Sequence, residues 1–138
     1  NSTLPAIPSS PAMAWMDSRK TFAELVEDGV RLYGEKKLDD SEAAFAEALS
    51  KNEGNYIPYY YLGLISYGRN DFDMAEYYYK TALQLGCDPA ATNFALGLNA
   101  YAVNRLEDAK GYLTKAKTEA PDRYATRVDE ILGRIGTP

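Results

Sequence analysis

Gly29, Gly63 and Gly97 stand 34 residues apart, and four further columns keep the same step. Leu38, Phe72 and Leu106 form one, and Ser41, Ala75 and Ala109 another. Phe45, Tyr79 and Leu113 form the third, and Ala48, Ala82 and Ala116 the fourth. Self-similarity at a fixed period of this length marks a solenoid of helix–turn–helix units. One unit cannot bury its apolar face alone, so about three stacked units are needed for stability. The chain has 138 residues and 46% hydrophobic content, enough for three units and a remnant of a fourth. It sits near that lower limit.

Cap and turn residues divide the chain between the columns. Residues 1–16 carry no charged side chain, and Pro5, Pro8 and Pro11 fall three apart. Three residues make one turn of polyproline II, so this stretch is expected to be an extended arm or linker. Asp17 and Ser18 can accept from free amides at a helix start. A first helix is expected from there to about Gly34, and a second over about 38–51. The next pair is expected over about 55–68 and 72–85, and the third over about 89–102 and 106–118. Asp88 followed by Pro89 is a strong start signal, a cap and then a proline whose missing amide costs nothing there. Pro121 opens a last helix to about Ile135. On it Tyr124, Val128, Ile131 and Ile135 share one face, and Arg123, Arg127, Glu130 and Arg134 occupy another. Such a helix would cover the open end of a solenoid. The expected organisation is an arm over 1–16 and a repeat domain over 17–138. Its units cover about 22–55, 56–89 and 90–123, with a capping helix over about 121–135.

Glycine inside a helix is unfavourable by about 0.8–1 kcal/mol against alanine. Three at one phase call for a compensating close approach of two helices. Ser41, Ala75 and Ala109 keep the second helix small, and Phe45, Tyr79 and Leu113 fill the space beside them.

The glycine column with the alanines of the second helix resembles the tetratricopeptide repeat over about residues 22–135. That resemblance implies an all-α, right-handed superhelical solenoid of antiparallel helix pairs, three units and a capping helix. The chain departs from the family pattern in places. The tryptophan-like position holds Leu25, Tyr59 and Asn93, and the family's tyrosine position holds Leu32, Ser66 and Ala100. Leu62 and Leu96 fit before the glycine, whereas Asp28 does not. The late proline is met by Pro121 but replaced by Glu53 and Cys87 earlier. Asp28 implies that the first packing face is partly exposed or is met by the N-terminal arm.

One stripe does not belong to packing within a unit. It holds Val26, Tyr60 and Phe94, then Val30, Leu64 and Leu98, then Tyr33, Tyr67 and Tyr101. Ile57, with Ala23 and Ala91, extends it. The spacing puts these residues on one face of each first helix. By the resemblance that face lines the concave groove, which is then apolar and aromatic throughout. The competing reading is simple packing between units. Tyrosine hydroxyls favour a wet or paired end. The runs Tyr59-Tyr60-Tyr61 and Tyr77-Tyr78-Tyr79 cannot be wholly buried, because consecutive residues point around a helix.

Other functions are excluded on composition and motif. Family members that bind acidic chaperone tails use a carboxylate clamp of lysines, asparagines and an arginine. Those positions here hold Val26, Val30, Tyr61, Ala91 and Ala95, so no such tail is expected as partner. The net charge is −5 without a basic run, which argues against nucleic acid and against an anionic membrane surface. No apolar stretch is long enough for membrane insertion, and no signal-peptide pattern occurs. There is no histidine, hence no histidine base or metal ligand, and no phosphate-cradling loop. Asp39, Asp40 and Glu42 are read as capping or solvating a helix start. No enzyme, cofactor or metal site is expected. The single Cys87 cannot form an internal disulfide, and Asp88 beside it has the wrong sign for a reactive thiol. The chain starts at Asn1 rather than methionine and is expected to be an excerpt or processed form. The compartment stays open.

The residues point to a non-catalytic protein-interaction module, a scaffold or adaptor that binds an apolar or aromatic peptide or helix in its groove. Two alternatives remain. One is a self-assembling domain whose arm docks in a neighbour's groove. The other is a bacterial secretion-type chaperone, whose family also uses three such repeats.

Overall fold

Thr21 starts the first helix, not Asp17 or Ser18. Its hydroxyl accepts from the Glu24 amide, and the Glu24 carboxylate accepts from the Thr21 amide. This reciprocal capping box satisfies two donors that a helix start leaves free. Asp17, Ser18 and the arm over 1–16 lie outside residues 19–136, which the structure, a computed structural model, describes.

The described residues form helices α1 (Phe22–Gly34), α2 (Leu38–Lys51), α3 (Tyr56–Gly68), α4 (Phe72–Gln84), α5 (Pro89–Ala102), α6 (Leu106–Glu119) and α7 (Pro121–Gly136). Their starts follow from local chemistry. Asn55 caps α3 through the Ile57 amide, Asp71 caps α4 through the Met74 amide, and Asp88 caps α5 through the Ala91 amide ahead of Pro89. Within each pair the turn is made by a residue with positive φ. These are Lys36 at 63°, Asn70 at 64° and Asn104 at 63°, again one period apart. Asparagine tolerates that conformation better than most residues, which accounts for two of the three.

Helices α1 and α2, α3 and α4, and α5 and α6 form successive packed pairs, and α7 packs on α6. The glycine column lies at the closest approach inside each pair. A Cβ built on Gly29 would stand 2.6 Å from the Phe45 ring. On Gly63 it would stand 2.5 Å from Tyr79, and on Gly97 2.6 Å from Leu113. Ser41, Ala75 and Ala109 are all fully buried, as are Ala48, Ala82 and Ala116. Ser41 exceeds alanine for a reason: its hydroxyl donates to the Gly29 carbonyl at 2.7 Å, which satisfies a buried polar group.

Three apolar clusters join the pairs. Phe45 of α2 meets Leu62 and Ile65 of α3. Ala75 and Tyr79 of α4 meet Ala95 and Leu96 of α5. Leu113 of α6 meets Val128 and Ile131 of α7, which covers that end as its amphipathic pattern predicts. The odd residue of the first unit, Asp28, is met from the N-terminal side. Lys20 donates to it at 2.6 Å, and Arg31 lies 3.5 Å away. Arg69, in the α3–α4 turn, reaches back to α2 and donates to Glu42 at 2.9 Å and to the Asp39 carboxylate.

Candidate peptide-binding surface

Helices α1, α3 and α5 carry the apolar stripe, and its ten core members share one property. Val26, Tyr33, Ile57, Tyr60, Leu64, Tyr67, Phe94, Leu98 and Tyr101 are half-buried, and Val30 is exposed at 37%. None is fully buried. Leu25, Leu62, Ile65 and Leu96, on the packing side of the same helices, are 3% exposed or less, whereas Leu32, Tyr59 and Tyr61 are half-buried like the stripe.

The stripe also serves packing between pairs. Val26 and Tyr33 lie against the Phe45 cluster, Tyr60, Leu64 and Tyr67 against the Tyr79 cluster, and Phe94, Leu98 and Tyr101 against the Leu113 cluster. The rings find separate partners. Tyr33 meets Tyr61 edge-on at 5.4 Å, Tyr60 lies 6.0 Å from Tyr79, and Tyr67 meets Phe72 at 5.8 Å. Among the described ring contacts none joins two of Tyr60, Tyr67, Phe94 and Tyr101; the first two share the Tyr79 cluster and the last two the Leu113 cluster.

One contact extends the surface beyond the first helices. Tyr124 of α7 stacks on Phe94 with centroids 4.7 Å apart. Arg127 lies over the Phe94 ring at 5.5 Å and Arg123 over Tyr124 at 5.1 Å. The helical period placed Tyr124 on the packing face but did not assign its ring partner. A second tyrosine group, Tyr59, Tyr77 and Tyr78, lies across α3 and α4, with Tyr78 centred 6.4 Å from Tyr59 and 5.5 Å from Tyr77. Within the run of three, Tyr77 is 56% exposed and Tyr79 only 1%.

Burial sets the acid–base behaviour of the inner phenols. It pushes Tyr60 up to about 12, with smaller contributions from Cys87 and the tyrosines nearby, and it raises Tyr79 further. A folded pKa above the unfolded value of about 10 gives stability that is complete below pH 10 and lost as pH rises through the folded value. Absorbance titration of phenolate tests this. A late group containing Tyr60 and Tyr79 should ionise together with loss of helical signal. A single transition near pH 10 in the still-folded protein would contradict the burial.

Val26, Val30, Tyr61, Ala91 and Ala95, where the resemblance would set a carboxylate clamp, carry no cationic side chain. Among the described residues no cluster of acidic or cysteine side chains could hold a metal, and no helix is long and apolar enough to cross a membrane. Cys87 is buried at 5% exposure, and that burial pushes its thiol up, the opposite of activation.

No family model matches this chain, and no curated protein matches it in sequence. Among solved structures it is similar to the N-terminal domain of stress-induced protein-1 (STI-1) from C. elegans, at 17% identity and a TM-score of 0.69. The match covers 85% of this chain and 96% of that one, so the two share an arrangement of helix pairs across nearly the whole of that domain.

Proposed function

We propose that this chain is a tetratricopeptide-type interaction module that binds an apolar or aromatic peptide, or one face of a helix, along α1, α3 and α5. The observation that carries this reading is the uniform incomplete burial of the ten-residue stripe after every helix pair has packed. A stripe serving only as core would be closed completely, as Leu25, Leu62, Ile65 and Leu96 are. Aromatic side chains bring large contact area with few rotamers to freeze, and they dominate binding energy where they are half-open.

Peptides selected from a displayed random library on the wild-type chain would test this. The expected consensus is apolar and aromatic. Tyr67→Ala is expected to weaken a selected peptide at least about tenfold, the loss typical of a central interface aromatic. Val30→Asp sits at the most open position of the stripe and separates binding from folding. It is expected to weaken the peptide while leaving the helical spectrum unchanged. Binders with a charged consensus, or binders indifferent to both substitutions, would sink the reading.

A further inference from the structure

The 34-residue step sets two acidic pairs in equivalent places. Asp39 and Glu42 lie one turn apart at the start of α2, and Asp73 and Glu76 hold the same phase in α4. The first pair is engaged from within, because Arg69 donates to Glu42 at 2.9 Å and to Asp39. The residue of that phase one period later is Val103. Backbone conformation is not the difference: φ and ψ are −94° and 6° at Arg69, and −101° and 14° at Val103. The fold builds this acidic pair twice, and a guanidinium engages both carboxylates only at the first; at the second, Arg105 reaches Glu76 alone, at 3.6 Å.

At the second pair is a cleft of about 40 Å³, formed by the start of α4, the end of α5 and the start of α6. One water needs roughly 10–15 Å³ of such space, so the cleft admits a group of about three or four heavy atoms. Phe72, Leu96 and Val103 supply its apolar walls. Asp73 and Asp108 also line it, and neither has an ion-pair partner among the described residues. Glu76 is partly engaged, by Lys80 at 3.1 Å and by Arg105 at a longer 3.6 Å. Asn99 also lines the cleft and is 5% exposed. Its amide nitrogen donates to the Phe72 carbonyl at 2.9 Å, while its Oδ1 has no donor. A buried acceptor left without a donor is destabilising. Placement at helix starts accounts for Asp73 and Asp108 as partners of the helix dipoles. It accounts neither for the unpaired Asn99 oxygen nor for the valine in the arginine column.

We propose that this cleft binds the side chain of an arginine from a partner protein, with the guanidinium on Asp73 and Glu76 and beside Asn99. A planar fork of five donors serves several acceptors at once and is less strongly hydrated than an ammonium, so arginine is preferred over lysine. The methylene stem lies against Phe72 and Val103. Arg105, at 55% exposure and only loosely held by Glu76, is the wall that yields to the incoming group. No residue of the cleft belongs to the α1, α3 and α5 stripe, although the stripe's Tyr67 packs on the cleft wall at Phe72.

Nuclear magnetic resonance titration of the full chain with a capped Gly-Arg-Gly peptide tests this, with lysine and citrulline analogues beside it. Arginine is expected to give saturable shifts at the Asn99 side-chain amide and at the Asp73 backbone amide. The lysine peptide should bind at least about threefold more weakly, for want of the planar fork. The uncharged citrulline peptide should give no saturable response. Val103→Arg supplies the missing guanidinium in cis and is expected to abolish binding in a chain whose helical spectrum is unchanged. Asp73→Asn is expected to weaken binding about threefold or more, as befits loss of one partly exposed charge, and it decides the matter if the first variant fails to fold. Val30→Asp, on α1 and away from the cleft, should leave the arginine response intact. Absence of saturable shifts in the wild type, an equal citrulline response, or undiminished binding by folded Val103→Arg or by Asp73→Asn would overturn the proposal.

Discussion

Gly63→Leu is expected to destabilise the chain by more than about 3 kcal/mol, beyond the range usual for an overpacked core. A bare Cβ at this position already stands 2.5 Å from Cε1 of Tyr79, and that ring is 1% exposed. The ring cannot swing aside, because Tyr60 lies against it and the cluster of Ala75, Ala95 and Leu96 surrounds it. The added side chain must therefore push α3 away from α4, which opens the middle unit and both of its neighbours' contacts. Urea unfolding of the purified variant measures the effect. Gly68→Ala is the matched control, because a Cβ there meets nothing within 4 Å. That change should stabilise by about 0.4–1 kcal/mol through the unfolded chain. Loss of less than about 0.5 kcal/mol in Gly63→Leu would show that α3 and α4 do not meet at this glycine, which would break the register of all three units.

Val128→Asp is expected to have an effect of similar size at the other end. Val128 is fully buried against Leu113 and Ile131. A carboxylate there has no cation within the cluster. It must either stay charged in an apolar site or take up a proton, and both are unfavourable. The expected result is release of α7 from α6, with loss of about 3 kcal/mol or more, as for other uncompensated buried charges. Release would also uncover Leu113 and the Phe94 ring, so self-association should rise. Urea melts combined with light scattering across a dilution series would read both effects. A variant with wild-type stability and no concentration dependence would show that α7 does not close the array.

The architecture was legible because the helix contacts repeat. Each glycine has its bulky partner 16 residues later, Phe45, Tyr79 or Leu113, and a 34-residue step exposes both columns at once. The start of α5 was legible because Asp88-Pro89 has few other uses. The start of α1 was not, since Asp17, Ser18 and Thr21 are all competent caps and only the reach of Glu24 back to Thr21 distinguishes them. The turn column of Lys36, Asn70 and Asn104 stayed hidden because lysine does not advertise positive φ. For the candidate surface, the phase of the stripe could be read but its ring partners could not. Tyr67 turns to Phe72 and Phe94 to Tyr124, choices fixed by crossing geometry between helices rather than by spacing along one. The contrast between Arg69 and Val103 was present in the register from the start. It acquires meaning only once Arg69 is seen to span to α2.

The buried members of each apolar cluster join one second helix to the helix that follows it, and even with their half-buried neighbours no cluster reaches beyond two adjacent units. Cooperativity in such a chain is passed from neighbour to neighbour. Opening can therefore begin at either end while the rest stays intact, and amide hydrogen exchange should grade along the sequence, slowest in α3 to α6 and fastest at the termini. Both ends combine apolar burial with ion pairs: Val128 and Ile131 hold α7, with Lys117–Asp129 and Arg123–Asp88 outside them, and Leu25 holds α1, with Lys20–Asp28 on its outer flank. Salt screens an ion pair of this kind and leaves apolar burial in place. Ionic strength therefore acts on the outer ties of both ends, while the clusters that hold each helix to the next stay packed.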